Sequence, residues 1–316
     1  MLFRSATLDD FEFSSESNVA VWRGHVRAKD PTMNLTSELL TAKLAGTNTT
    51  AASNSRNVES IVAETNVVIE ITETNGVTTA KVDKAVYSAA DETLVLTGAK
   101  PMVDLGTRQI QLLSPHITLD SRNNTATATK PVLTRLPPGA LKRIGGGSSA
   151  VSGVPAQAAP DERAEVTSDD FVYSSESNTA IWQRNVRVKD PKLNLTSWLL
   201  TAKLGSEGGA LERIEAETNV VMMITETNGV TIARGDRAIY LAGSELLVLT
   251  GKDSMIESGE SKFALWSSFI TYELISRILN AKPPYRGSVR PAAFSKPGNG
   301  DTNLPPRGRQ SGEQGK

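Results

Sequence analysis

FEFSSESNVAVWRGHVRAKDPTMNLTSELLTAKL, residues Phe11 to Leu44, decides the fold because the chain writes it twice. It returns as FVYSSESNTAIWQRNVRVKDPKLNLTSWLLTAKL, Phe171 to Leu204, with 23 of 34 positions identical. A second block, Val58 to Gly98, returns from Leu211 to Gly251 with 27 of 41 identical. Between the blocks the offset falls from 160 to 153 across AGTNTTAASNSRN, a polar, small-residue loop where length change is well tolerated. Repetition on this scale means a duplicated domain.

Outside the repeats the composition changes. Residues 134–165 are rich in Gly, Pro, Ala and Ser and read as a flexible linker. Residues 283–316 are rich in Pro and Gly, have little to bury and read as a disordered tail, with six basic and two acidic residues. The expected organisation is therefore a first copy over 6–133, the linker, a second copy over 166–282, and the tail.

Inside each copy the pattern is that of strands. Thr, Val and Ile are abundant, apolar runs are short, and turn residues recur about every eight to twelve positions. Asn66 to Thr72 alternates, with Val67, Ile69 and Ile71 on one face; Val220, Met222 and Ile224 take that face in the second copy. Asn75-Gly76 and Asn228-Gly229 predict hairpins, and Asp30-Pro31 and Asp190-Pro191 break strands at matching points. Further strands are predicted over 20–27, 34–43, 77–87, 94–97 and 109–120. Many short antiparallel strands make the chain all-β, built as a sandwich, a jelly roll or a curved open sheet.

The chemistry is sparse. With no cysteine among 316 residues, disulfides, thiolate metal sites and Cys nucleophiles are excluded. The near-neutral balance, 34 Lys plus Arg against 35 Asp plus Glu, argues against a nucleic-acid binder. No apolar run reaches the roughly 18 residues of a membrane helix. The opening MLFRSATLDDFEF has no basic segment leading into an apolar stretch, so no signal peptide is expected in it. The repeat also tests catalysis, because a shared catalytic residue should recur. His25 aligns with Asn185 and His116 with Phe269, so both histidines read as ordinary strand residues. Six carboxylate pairs do recur: Glu16/Glu176, Asp30/Asp190, Glu64/Glu217, Glu73/Glu226, Asp83/Asp236 and Glu92/Glu245. Two of them facing across a cleft would suit polysaccharide hydrolysis; solvated loop and edge positions explain them more simply. No metal or cofactor is expected.

What remains is apolar surface. Phe11, Phe13, Trp22, Met33, Leu35, Val67, Ile69, Ile71, Leu94 and Leu96 form one candidate set. Their counterparts are Phe171, Tyr173, Trp182, Leu193, Leu195, Val220, Met222, Ile224, Leu247 and Leu249. They read either as the packed core of a β scaffold or as the wall of an apolar groove for a lipid chain.

These segments resemble the OstA-like family, the lipopolysaccharide-transport proteins of the LptA type. The resemblance rests on Trp22-Arg23-Gly24-His25-Val26, then Asp30-Pro31 with Met33 and Leu35. Ile61-Val62-Ala63, Ala85-Val86-Tyr87 and Leu94-Val95-Leu96-Thr97-Gly98 follow, and the pattern closes on Ile117-Thr118-Leu119-Asp120. The second copy departs from it: Gly24 becomes Arg184, and the closing strand reads Ile270-Thr271-Tyr272-Glu273. The resemblance implies two tandem twisted, V-shaped open β-jelly-roll domains whose apolar interior carries the acyl chains of lipopolysaccharide or lipid A without catalysis. It further implies a periplasmic location and end-to-end strand pairing with other OstA-like domains in a bridge to the outer membrane. The alternative is a structural β-repeat that polymerises without a lipid ligand.

Overall fold

The computed structural model describes residues 5–45, 58–73, 76–106, 110–137, 140–141, 163–205, 211–226, 229–259 and 263–289. Among them the chain is all-β. The first copy carries β1 (Ser5–Thr7), β2 (Asp10–Ser14), β3 (Val19–Lys29), β4 (Met33–Leu44), β5 (Val58–Glu73), β6 (Gly76–Ser88), β7 (Thr93–Thr97), β8 (Met102–Leu105), β9 (Ile110–Leu113), β10 (His116–Asp120) and β11 (Thr125–Arg135). The second carries β12 (Glu165–Ser174), β13 (Thr179–Lys189), β14 (Leu193–Leu204), β15 (Leu211–Glu226), β16 (Gly229–Leu241), β17 (Leu246–Ser258), β18 (Phe263–Glu273), β19 (Ile278–Ala281) and β20 (Tyr285–Val289).

All pairings are antiparallel and follow chain order, so each copy is a meander of eight rows. In the first copy the rows are β1 with β2, β3, β4, β5, β6, β7 with β8, β9 with β10, and β11. The second copy repeats them as β12 to β18, closing on β19 with β20. The two meanders are one sheet, because β11 pairs with β12 from Thr125↔Ser174 to Arg135↔Glu165.

Each full-length row is bent near its middle by a register shift, as between Arg23 and Val26 in β3 or Glu64 and Val67 in β5. The bulged residues come as left-handed pairs, Gly24-His25, Thr65-Asn66, Arg184-Asn185 and Thr218-Asn219. Aligned bulges bend the sheet along one line, and its two halves close over a shared apolar core. The bulges leave ladder carbonyls without partners, and buried serines answer that need. Ser168 and Ser197 each donate to the carbonyl two residues on, and Ser114 and Ser267 donate to the cross-strand carbonyls of Thr129 and Lys282. Asp83 and Asp236 are exposed, as expected of solvated carboxylates, and accept the backbone N–H of Ala99 and Lys252 across the bend.

Four expectations are corrected. The strand predicted over 109–120 is split into β9 and β10 at Ser114-Pro115, where proline has no N–H to give the ladder; the second copy has Ser268 there and an unbroken β18. The stretch read as linker contributes Thr134, Arg135 and Glu165 to strands, and buries Leu136, Leu141 and Ala164. The stretch read as tail contributes β20, which pairs with β18. Residues 142–162 and 290–316 lie outside the described residues. His25, expected as an ordinary strand residue, sits in a bulge with φ of 46°. The predicted hairpins fall where β5 pairs with β6 down to Glu73↔Gly76 and β15 with β16 down to Glu226↔Gly229; Asn75 and Asn228 are not described.

Candidate functional site

Strand alternation puts one apolar side chain in two on the inner face, and the bend sets the inner faces of the two half-sheets against each other. In the first copy they do not close completely. A cavity of about 310 Å³ lies between them. Met33, Leu35, Ile69 and Ile71 line it from one half-sheet, and Ile61, Ala63, Ala85, Tyr87, Leu94 and Leu119 from the other. Thr32, Glu92 and Ser121 form its polar rim. The rim turns are held locally. Arg122 Nη2 donates to the Ala90 carbonyl and lies 3.4 Å from Glu92 Oε1. The backbone and side-chain amides of Asn123 donate to Asp120, holding its carboxyl below the usual range.

Five of the ten first-copy candidates, Met33, Leu35, Ile69, Ile71 and Leu94, line this cavity. Val67 and Leu96 are buried in the core beside it, and Trp22 packs against that core. Phe11 and Phe13 are elsewhere, exposed on the free edge strand β2. The ten second-copy candidates, Phe171, Tyr173, Trp182, Leu193, Leu195, Val220, Met222, Ile224, Leu247 and Leu249, are all buried. The candidate set omits Ile61, Ala63, Ala85, Tyr87 and Leu119, although all five stand in the segments that carry the resemblance.

The lining offers little to a reaction. Glu92 is its one carboxylate, so the paired acids of a glycosidase are not assembled there. Of the other recurrent carboxylates, Asp30 and Asp190 accept from the N–H two residues on, and Glu64 pairs with Lys84 at 2.9 Å. Among the described residues no group of three or more His, Asp or Glu could hold a metal ion. An apolar cavity with a polar rim can take the hydrocarbon part of an amphiphile and leave its head in water.

The second site-forming feature is the pair of sheet ends. In the interior junction, Phe171 and Tyr173 of β12 lie opposite Ala128 and Ala126 of β11. Phe171 is 1% exposed there; its counterpart Phe11, on an edge with no such neighbour, is 53% exposed. Both phenylalanines make the same tilted contact with a tryptophan, Phe11 with Trp22 at 5.5 Å and Phe171 with Trp182 at 5.4 Å. At the opposite end, among the described residues, β19 and β20 pair only with β18.

The family described as "LptA/(LptD N-terminal domain) LPS transport protein" matches residues 7–130 and 165–276, one stretch in each copy. The chain belongs to this family. A solved structure of LptH, the LptA-homologous periplasmic component of the lipopolysaccharide transport device of Pseudomonas aeruginosa, is similar at 18% identity. That match covers 42% of this chain and 100% of LptH, with a TM-score of 0.37. No curated protein matches the chain. As members of the LptA/LptD N-terminal family, both copies are open β-jelly rolls, and no helix among the described residues is long and apolar enough to cross a membrane.

Proposed function

We propose that the protein is a periplasmic, non-enzymatic carrier that holds an acyl chain of lipopolysaccharide between its half-sheets and joins other domains of its family end to end. The cavity of the first copy carries this reading: ten of its thirteen lining residues are apolar or aromatic, and its polar atoms sit at the rim. Each methylene buried there gains about 0.8 kcal/mol, so a chain is retained without a catalytic group. Family membership supplies the lipopolysaccharide.

The interior junction supports the end-to-end part. It is a worked example of one copy's last row docking on the next copy's first. By repeat alignment the free β19 would set Leu279 and Ala281 opposite Phe13 and Phe11, where β11 sets Ala126 and Ala128 opposite Tyr173 and Phe171. The two edges also carry opposite charge: Asp9, Asp10 and Glu12 at the first, Lys282 and Arg286 at the last. Exposed strand edges of this kind accept a further strand readily.

Detergent-free protein incubated with lipid A tests the carrier reading. Saturable capture is expected, weakened by Ile71→Asp, which places a carboxylate in the cavity wall. Absence of capture by folded wild-type protein would leave the scaffold alternative.

A further inference from the structure

The two copies have the same fold but different mouths. The backbone of the turn after the seventh row is equivalent in both: the Ser121 N–H donates to the Glu92 carbonyl at 3.0 Å, and the Leu274 N–H to the Glu245 carbonyl at 3.0 Å. The side chains are not equivalent. Where the first copy has Leu119 and Ser121, the second has Tyr272 and Leu274. Leu274 is 4% exposed and Tyr272 8%, both turned into the core, whereas Ser121 is exposed at the cavity rim.

The surrounding wall follows this change. Met33, Ile71, Tyr87 and Leu94 are half-buried around the first cavity. Their counterparts Leu193, Ile224, Tyr240 and Leu247 are each no more than 2% exposed. Four positions of similar size and shape thus lose their exposure together. A larger pair of side chains at the mouth accounts for all four, because a hydrocarbon plug covers whatever lies behind it.

We propose that the copies divide the work: the first is the seat of a single acyl chain, and the second is shut by its own Leu274 and Tyr272 and holds none. The inference rests on the carrier reading above and specifies it. A cavity of about 310 Å³ lies at the small end of ligand sites, room for one alkyl chain rather than a sugar-bearing head group. Tyr272 and Leu274 then stand in the second copy where the ligand chain lies in the first. Lipid handed along end-joined chains would meet open and closed units in alternation.

Native mass spectrometry of the full chain with lipid A, beside a thermal melt of each variant, tests the assignment. One lipid A per wild-type chain is expected. Leu119→Tyr combined with Ser121→Leu writes the second copy's mouth into the first, a pair of residues this fold already accommodates. It should weaken binding about tenfold or more. Tyr272→Leu with Leu274→Ser should add a second bound lipid. A photo-crosslinking side chain at position 94 should label lipid A, and one at position 247 should not. Wild-type stoichiometry of two, equal labelling at both positions, or undiminished binding by the filled variant overturns the division of labour and leaves the carrier reading intact. No binding to wild type overturns both.

Discussion

The indole N–H of Trp182 donates to the hydroxyl of Thr134 at 3.0 Å, across the line where one copy of the repeat gives way to the next. Both residues are almost fully buried, 1% and 0% exposed, so neither has water as an alternative partner. The bond also crosses the space between half-sheets: Thr134 pairs with β9 on one side of the bend, and Trp182 lies on the other. Thr134→Val preserves the shape and strands the indole donor. A loss of about 1–3 kcal/mol is expected in denaturant unfolding, with a single transition because the sheet is continuous through the junction.

The bulge serines offer a matched pair of tests. Ser114 Oγ donates to the Thr129 carbonyl at 2.6 Å and accepts the His116 N–H at 3.2 Å; Ser267 does the same for Lys282 and Phe269. Alanine at either position leaves backbone groups unsatisfied at a nearly buried site. Each variant should lose about 1–3 kcal/mol, checked by urea denaturation. Equality within error of the two losses would reflect the common geometry.

Little of this polar scaffolding was legible beforehand. Alternation over Asn66 to Thr72 put Val67 and Ile69 on the buried face, because a half-buried strand must hide every second side chain. A buried serine gives no such periodic signal, and Ser114 or Ser197 looks like any loop-forming polar residue. Pro115 did carry a readable break, obscured by the alternating apolar residues on either side of it, Ile110 and Leu112 before and Ile117 and Leu119 after. Phe11 and Phe13 share their pattern with Phe171 and Tyr173, yet two are exposed and two buried, because exposure depends on whether another row follows. The closed mouth of the second copy was visible only as Leu119 giving way to Tyr272, a departure whose meaning requires knowing that the position faces inward.

The Asp9 carboxylate lies 3.0 Å from His25 Nδ1, and this hydrogen bond, with the charge of Asp9 behind it, raises the imidazole pKa above its ordinary value. A raised folded-state pKa favours the native state below the unfolded value near 6.5, and that contribution fades as pH rises through the higher folded value. With only two histidines in the chain, proton NMR of the ring resonances can follow both. The His25 midpoint should fall towards the ordinary value in Asp9→Asn.

Phe11 and Phe13 give the end-to-end reading its sharpest test. Replacing both with Ser removes exposed aromatic surface from an edge strand and, with it, the Phe11–Trp22 ring contact, so a thermal melt of the variant accompanies the measurement. Each buried aromatic at a docked interface is worth about 2 kcal/mol, so concentration-dependent association should weaken by more than tenfold. Light scattering over a dilution series reads the change. Unaltered association would place the contact at another surface.

The unbroken pairing of β11 with β12 has a metric consequence. Eight rows from each copy make sixteen in one continuous sheet, and at about 4.8 Å between strands the sheet measures about 75 Å along its own contour. With no hinge between the copies, that length is a property of the hydrogen-bond ladder and not of a tether. A chain of this design is a ruler: its reach grows in steps of eight rows, and any span it bridges must be met in whole numbers of them.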